Sequence, residues 1–241
     1  MDKIMKITSG LFIVILVIFV SVVAYNMFVE NSYRSSLTGT FIYNFTLTTD
    51  SQLSNVSLFI PVPEDMNESS PIISQYSTQS IDGMPSDWNT TLYDSGKVTM
   101  VRITTSSITP PAGTTTSQPY TITLSANLSA SETVETADPV GNGVMFRPVE
   151  SLQSVSCQGT TGQCYQYTIP LDVDYTTVPN ATVSISSTII GKNTWVIFKP
   201  ESNEFHSAFN VVLVGTHHGW ATANGDLETG IGSYDAPAHT S

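Results

Sequence analysis

The first thirty residues form one long apolar segment in which no polar face recurs. The uncharged run from Ile7 to Val29 contains LFIVILVIFV at residues 11–20 and exceeds the roughly 20 residues that a helix needs to cross a bilayer. A helix of a globular domain would carry a polar face over that length. The run therefore predicts a transmembrane helix over residues 7–29, after a short N-terminus at residues 1–6.

The charges beside this segment predict its orientation. Lys3 and Lys6 are the cations on its N-terminal side, and Glu30 follows it. Positively charged flanks stay on the cytoplasmic side of a membrane. We therefore expect an uncleaved signal anchor in the cell membrane, with the N-terminus cytoplasmic and the C-terminal domain extracellular.

Two other interpretations of the N-terminus stay open. Val22-Val23-Ala24 fits the pattern before a signal-peptide cleavage site, although the apolar run is longer than the usual 7–15 residues or so. A pilin-type leader ending at Gly10 would make Leu11 the first residue of an assembly helix, but the nearest cation, Lys6, is four residues from that glycine. The uncleaved anchor is preferred.

After a polar linker at residues 30–39, the hydrophobic pattern changes to a period of two, which is typical of half-buried β-strands. The first strand alternates mostly polar residues with Phe41, Tyr43, Phe45 and Leu47. Further strands are predicted at residues 56–60, 98–103, 120–128, 164–173, 181–190, 193–198 and 209–215.

Segments rich in Ser, Thr, Gly, Pro and Asn separate these strands and supply turns. Many short strands with turns between them are typical of a β-sandwich. We therefore predict an all-β, β-sandwich-like ectodomain over residues 40–229. A weak sub-boundary near residues 132–143 allows the alternative of two smaller sandwiches. Residues 230–241 are predicted to be a flexible tail.

Charge excludes one class of partner. The chain has 8 Lys and Arg against 20 Asp and Glu, which gives a formal net charge of −12. An acidic surface repels the phosphates of nucleic acids, so nucleic acid is not expected as a partner. Carboxylates with little lysine also suit a salty environment, where repulsion between them is screened.

Cys157 and Cys164 are the two cysteines, in the sequence SCQGTTGQC. An extracytoplasmic pair this close in sequence is expected to form a disulfide. A metal site would need more ligands, and a redox pair would normally have the spacing C-x-x-C. The turn-forming residues between the cysteines place the predicted disulfide at a hairpin tip.

Six N-glycosylation sequons have the parity of outward strand faces or fall in loops, as glycan carriers must. They begin at Asn44, Asn55, Asn67, Asn89, Asn127 and Asn180. Together with the topology, acidity and scarcity of lysine, the sequons make the chain similar in composition to archaeal envelope proteins, although no motif identifies a family.

Catalytic motifs are absent from the sequence, including G-x-S-x-G, H-E-x-x-H and a phosphate-binding glycine loop. Asp172 and Asp174 form a carboxylate pair of the kind that glycoside hydrolysis uses, but an acidic chain produces such pairs freely. His206 with Asp226 and either His217 or His218 would be a minimal zinc site. We expect neither an enzyme nor a cofactor.

The remaining candidates are loop residues. Oxygens of Asp87, Asn89 and Asp94 suit calcium, but the spacing is not that of an EF-hand, and metal is left unassigned. Aromatic residues in loops supply flat binding area, and residues 215–232 mix glycine, aromatic and polar residues. The candidate binding surface is therefore Trp88, His217, His218 and Trp220.

These observations favour a single-pass, membrane-anchored cell-surface glycoprotein with a structural, envelope or adhesion role. Its expected partners are the membrane, through the N-terminal helix, and an envelope protein or glycan. The alternatives are an extracellular ligand-binding module and a pilin-like filament subunit, and a homo-oligomer is left open.

Overall fold

The computed structural model describes residues 2–94, 99–147, 152–157 and 162–234. Three helices are present in these ranges: α1 Asp2–Ser36, α2 Ile73–Ser77 and α3 Pro139–Asn142. The strands are β1 Thr38–Thr49, β2 Leu53–Pro61, β3 Asn89–Asp94, β4 Thr99–Ile108, β5 Tyr120–Ser129, β6 Gln153–Val155, β7 Gln163–Thr176, β8 Thr182–Val196, β9 Pro200–Val214 and β10 Trp220–Gly232.

Helix α1 is long and apolar enough to cross a membrane. Within its span from Ile7 to Ser36, the most apolar window has a mean hydropathy of 2.8, and none of that window is buried against the rest of the protein. An apolar helix with no protein cover has the character of a membrane segment rather than of a core helix.

The predicted linker at residues 30–39 is replaced by helix up to Ser36 and by strand from Thr38. The Tyr33 ring is buried against Trp195, with 5.6 Å between ring centroids in an edge-on arrangement. Ser36 Oγ donates to the carbonyl of Val196 and accepts from its N–H, at 3.0 and 2.9 Å. These tertiary contacts stabilise the helical conformation of the polar end of α1. A hydropathy pattern does not detect such contacts, because they involve residues distant in sequence.

All ten strands belong to one antiparallel sheet with the order β3-β4-β2-β7-β10-β9-β8-β1-β5, and β6 adds to β7. A single core cluster takes side chains from strands across this order. The sheet must therefore curl around that core, as in a sandwich or half-barrel, and the predicted all-β class with a leading apolar helix is confirmed.

The segment between β2 and β3 closes the curl. Asp82 exchanges two backbone hydrogen bonds of 2.9 Å with Ser125 in the edge strand β5, and the chain then enters β3 at the opposite edge. Before it reaches Asp82, the same segment contacts β1, where the hydroxyl of Tyr76 in α2 lies 3.0 Å from that of Tyr43. The two sheet edges are thus joined by one crossing segment.

The predicted alternation of β1 is confirmed, with Phe41, Tyr43, Phe45 and Leu47 buried. Two strands predicted at residues 181–190 and 193–198 are a single strand, because Gly191 does not interrupt β8: its missing side chain leaves room for the ring of Phe205. The pattern also missed β3 and β10, and β10 extends to Gly232, into the predicted tail. Residues 235–241 of that tail lie outside the described residues.

A buried polar network attaches residues 130–137 to the sheet. Asn193 Nδ2 donates to the carbonyl of Val134 and to Asn203 Oδ1, while Asn193 Oδ1 accepts from the N–H of Val134. Thr136 Oγ1 also donates to Asn203 Oδ1. This segment overlaps the weak boundary near residues 132–143, and strands from both sides of it pair with each other, β1 with β8 and β2 with β7.

Removal of the Asn193 amide should destabilise the fold strongly. The change Asn193→Ala leaves the backbone groups of Val134 buried without partners, and we expect a loss of about 3 kcal/mol of unfolding free energy, or a fall in Tm of roughly 6–12 °C. The matched control is Asn210→Ala on the exposed face of β9, expected to change Tm little. Thermal unfolding followed by circular dichroism tests this, and equal effects of the two changes would show that the network does not stabilise the domain.

Candidate functional site

The antiparallel pairing defines two ends of the domain. Helix α1 leads into β1, which begins at Thr38. Thr38 pairs with Thr194 near the end of β8, so the β8–β9 turn lies at the same end of the domain as α1. The turns at residues 50–52, 177–181 and 215–219 therefore lie at the opposite end, which we call the distal end.

The sheet forks at the distal end. The ladder between β9 and β10 starts only at Asn210 opposite Asn224. Beyond it β9 stays paired with β8 as far as Val214, while β10 stays paired with β7 as far as Trp220. The two strands thus diverge before the turn, where His217 instead exchanges backbone hydrogen bonds with Tyr175 of β7.

Exposed apolar side chains flank this fork. Trp220 is 63% exposed and Val214 is 67% exposed, and both have the parity of the outer face. We define the distal apolar surface as Val178, Val212, Val214 and Trp220, which are all exposed. Exposed apolar residues grouped at one end of a domain are candidates for a site of interaction.

A row of outward-facing side chains continues from Trp220 across the outer face. Direct cross-strand neighbours are Trp220 with Asp172, Asp172 with Phe59, and Phe59 with Arg102. The Arg102 guanidinium carbon lies 5.3 Å from the Phe59 ring centroid, in range for a cation–π interaction. We call Phe59, Arg102, Asp172 and Trp220 the cross-strand row. Across four neighbouring strands it orders an indole, a carboxylate, a phenyl ring and a guanidinium.

Two acidic groups lie beside the indole. Burial raises the pKa of Asp172, and the nearby charge of Asp174 raises it further, while His217 opposes the shift. Asp174 Oδ1 lies 3.2 Å from Nδ1 of the exposed His218. Both carboxylates lie on the same face of β7, whereas glycoside hydrolysis uses carboxylates on opposite sides of the scissile bond.

The four candidate surface residues separate in the structure. His217, His218 and Trp220 lie together at the distal end, but Trp88 is only 4% exposed and belongs to the core. Including Trp88 in the surface was wrong: a turn from Pro85 to Trp88 directs the chain into β3 and leaves the indole inside the curl. Val212 and Val214 were not among the predicted surface residues, although the segment NVVLVG has apolar residues at both parities and so exposes some of them.

The structure does not bring together the residues considered above as zinc or calcium ligands. Among the described residues, no group of three His, Cys, Asp or Glu side chains is placed to hold an ion. His206 Nε2 lies 3.1 Å from Glu204 Oε1 within β9, whereas His217 lies in the turn after that strand. Asp87 Oδ2 accepts from Thr105 Oγ1, and Asp94 is at the other end of β3 from Asn89.

The predicted disulfide is confirmed. Cys157 and Cys164 are bonded, with 5.3 Å between their Cα atoms, and Val155 pairs with Cys164 in the β6–β7 ladder. The bond holds β6 on β7 at the end near α1, away from the distal end. Residues 158–161 of the predicted hairpin tip lie outside the described residues.

Exposure is compatible with glycan attachment at the sequons. Asn44 is half-buried, and the other five asparagines are exposed. Asn180 lies in the β7–β8 turn next to the distal apolar surface, and Asn55 has a positive φ of 56° where the β2–β7 register shifts.

Comparison of the chain with protein-family models, with curated proteins and with solved structures gave no match. The fold and the surface chemistry are therefore the basis for a functional assignment. The apolar helix α1 and the disulfide indicate a domain that is anchored in a membrane or secreted.

The pKa of Asp172 should respond to its neighbours. Because its folded-state pKa is raised, the carboxylate form disfavours folding, so stability falls as pH rises through that pKa. Asp174→Asn removes a like charge and should lower the pKa of Asp172, while His217→Ala should raise it. Quenching of tryptophan fluorescence by acrylamide detects the exposed Trp220, since Trp88 and Trp195 are buried. The pH dependence of this quenching therefore reports the titration of Asp172. Asp172→Asn should abolish the fluorescence transition. If the midpoint of the transition is the same in all three variants as in the unchanged protein, the transition does not report Asp172.

Proposed function

We propose that this chain is a single-pass cell-surface glycoprotein, with its N-terminus cytoplasmic and its β-domain extracellular, in a structural, envelope or adhesion role. The observation that carries the proposal is the junction of α1 with the sheet. A helix exposed along its apolar length leads through the single residue Leu37 into β1, so the domain presents its distal end away from the anchor.

The distal end has the chemistry of a contact surface. Trp220 supplies flat apolar area with a polar edge, and interfaces concentrate their binding energy in such residues. Asp172 and Asp174 beside it provide acceptors for sugar hydroxyls or for cationic side chains of a partner. These groups lie on an open outer face, which fits a macromolecular partner such as an envelope protein or glycan.

A pilin-like filament subunit is the second candidate, and the same junction favours it. A rigid connection between helix and domain is what a filament needs in order to pack helices of many copies with their domains in register. This role would require loss of residues 1–10, so that Leu11 starts the assembly helix.

The chemical state of the protein from its native membranes separates these roles. We expect intact and peptide-level mass spectrometry to find an uncleaved N-terminus, an oxidised Cys157–Cys164 pair, and glycans on the five exposed sequon asparagines more than on the half-buried Asn44. Cleavage after Gly10 would replace the proposal by the filament role, and cleavage after Ala24 by a secreted domain. Bare asparagines together with free thiols would refute the extracellular location.

Trp220 should dominate contact with the partner. Trp220→Ala should weaken binding of the purified protein to its native cell envelope by roughly 30-fold, as loss of an interface hot spot does. The matched control is Met66→Ala, another highly exposed apolar residue that lies in a loop outside the distal apolar surface. Equal binding by both variants and the unchanged protein would exclude the distal end as the contact surface.

A further inference from the structure

The turn between β8 and β9 has an unusual composition. Turns at hairpin ends are normally built from Gly, Asn, Asp and Ser, but residues 196–199 are Val-Ile-Phe-Lys, followed by Pro200. Phe198 is 69% exposed and Val196 is also exposed. We call residues 196–199 the β8–β9 tip.

The tip lies beside the apolar part of α1. The ring of Phe198 stacks on that of Tyr25, with centroids 6.2 Å apart and planes 16° apart, and it lies 6.1 Å from the ring of Phe28. Tyr25 is 11 residues before Ser36, and at 1.5 Å per residue the tip reaches about 16 Å back along the helix. It therefore overlaps the end of the uncharged run from Ile7 to Val29.

This overlap fixes the depth of the tip relative to a bilayer. A hydrocarbon core of about 30 Å takes up roughly 20 helical residues, so a span that starts near Ile7 ends near Tyr25. Aromatic residues concentrate at that level, where one side of the ring is apolar and the other is hydrated. Tyr25, Phe28 and Phe198 form such an aromatic group from two separate elements.

Lys199 completes the pattern. Its side chain is 78% exposed and lies 3.5 Å from Glu201, at the boundary between the apolar tip and the polar strand β9. A lysine in this position covers apolar surface with its methylene chain and carries its ammonium group toward water and phosphate oxygens.

We propose that the β8–β9 tip is a second membrane contact, in which Val196, Phe198 and Lys199 insert into the interfacial layer of the outer leaflet. The partner is a lipid surface, and the tip with α1 makes two contacts that fix the tilt of the domain on the membrane. The contact rests on the proposed insertion of α1 in a bilayer.

The test uses the full chain in vesicles of zwitterionic phosphatidylcholine, with a fluorescent NBD group attached at one position per variant. The native cysteines are joined in a disulfide and do not react. Phe198→Cys reports on the tip, Val214→Cys is a control of matched exposure at the distal end, and Phe19→Cys reports on the middle of α1. Val196→Cys repeats the measurement at the tip without removing the ring of Phe198.

At both tip positions we expect a blue-shifted emission and at least a threefold stronger quenching by headgroup-labelled nitroxide lipid than at position 214. If position 19 is shielded from water while both tip positions behave like position 214, α1 is anchored and the second contact is refuted. If position 19 is also exposed to water, the proposed anchoring fails and the tip contact fails with it. A tip that is shielded from water but not quenched by lipid would show packing against protein only, which also overturns the inference.

Discussion

The junction between α1 and the sheet is the constraint on which the arrangement of the molecule depends. Tyr33 is buried against Trp195, and Ser36 is joined to Val196 by hydrogen bonds in both directions. Because each contact lies on β8, the strand that pairs with β1, the helix is bound to the sheet at two neighbouring strands. This attachment removes the freedom that a linker would give, and the direction of the helix then determines which end of the domain faces away from α1.

The strands of the curled sheet connect the end near α1 with the distal end. Long strands such as β8 and β9 run the full height of the domain, and their alternation buries one face while leaving the other polar. The exceptions to this polar outer face are therefore informative. On β8 and β9 they lie at the β8–β9 tip near α1 and at the fork between β9 and β10, so apolar surface is exposed at the two ends of the same strands. We propose lipid as the partner of the first end and a partner outside the cell for the second.

Local patterns predicted the apolar helix, the alternation of β1 and the disulfide, because each depends on residues close in sequence. They did not predict the helical end of α1 or the buried position of Trp88, since both depend on contacts with distant residues such as Trp195 and the core inside the curl. Strand β10 was missed because Gly225 and Thr229 occupy inward positions where a hydrophobic residue would signal a strand. Of the distal apolar surface, only Trp220 was among the candidates predicted from the sequence. The cross-strand row combines residues from four strands whose register no single segment determines.

A distance distribution between α1 and the distal end would test the rigid junction most directly. Spin labels at Met27→Cys and Val178→Cys, both exposed positions, allow pulsed electron spin resonance on the full chain in vesicles. A single narrow distribution is expected if Tyr33, Ser36 and their partners on β8 bind the helix to the sheet. A broad distribution, of the kind that a flexible linker produces, would contradict a domain held in one orientation on its anchor.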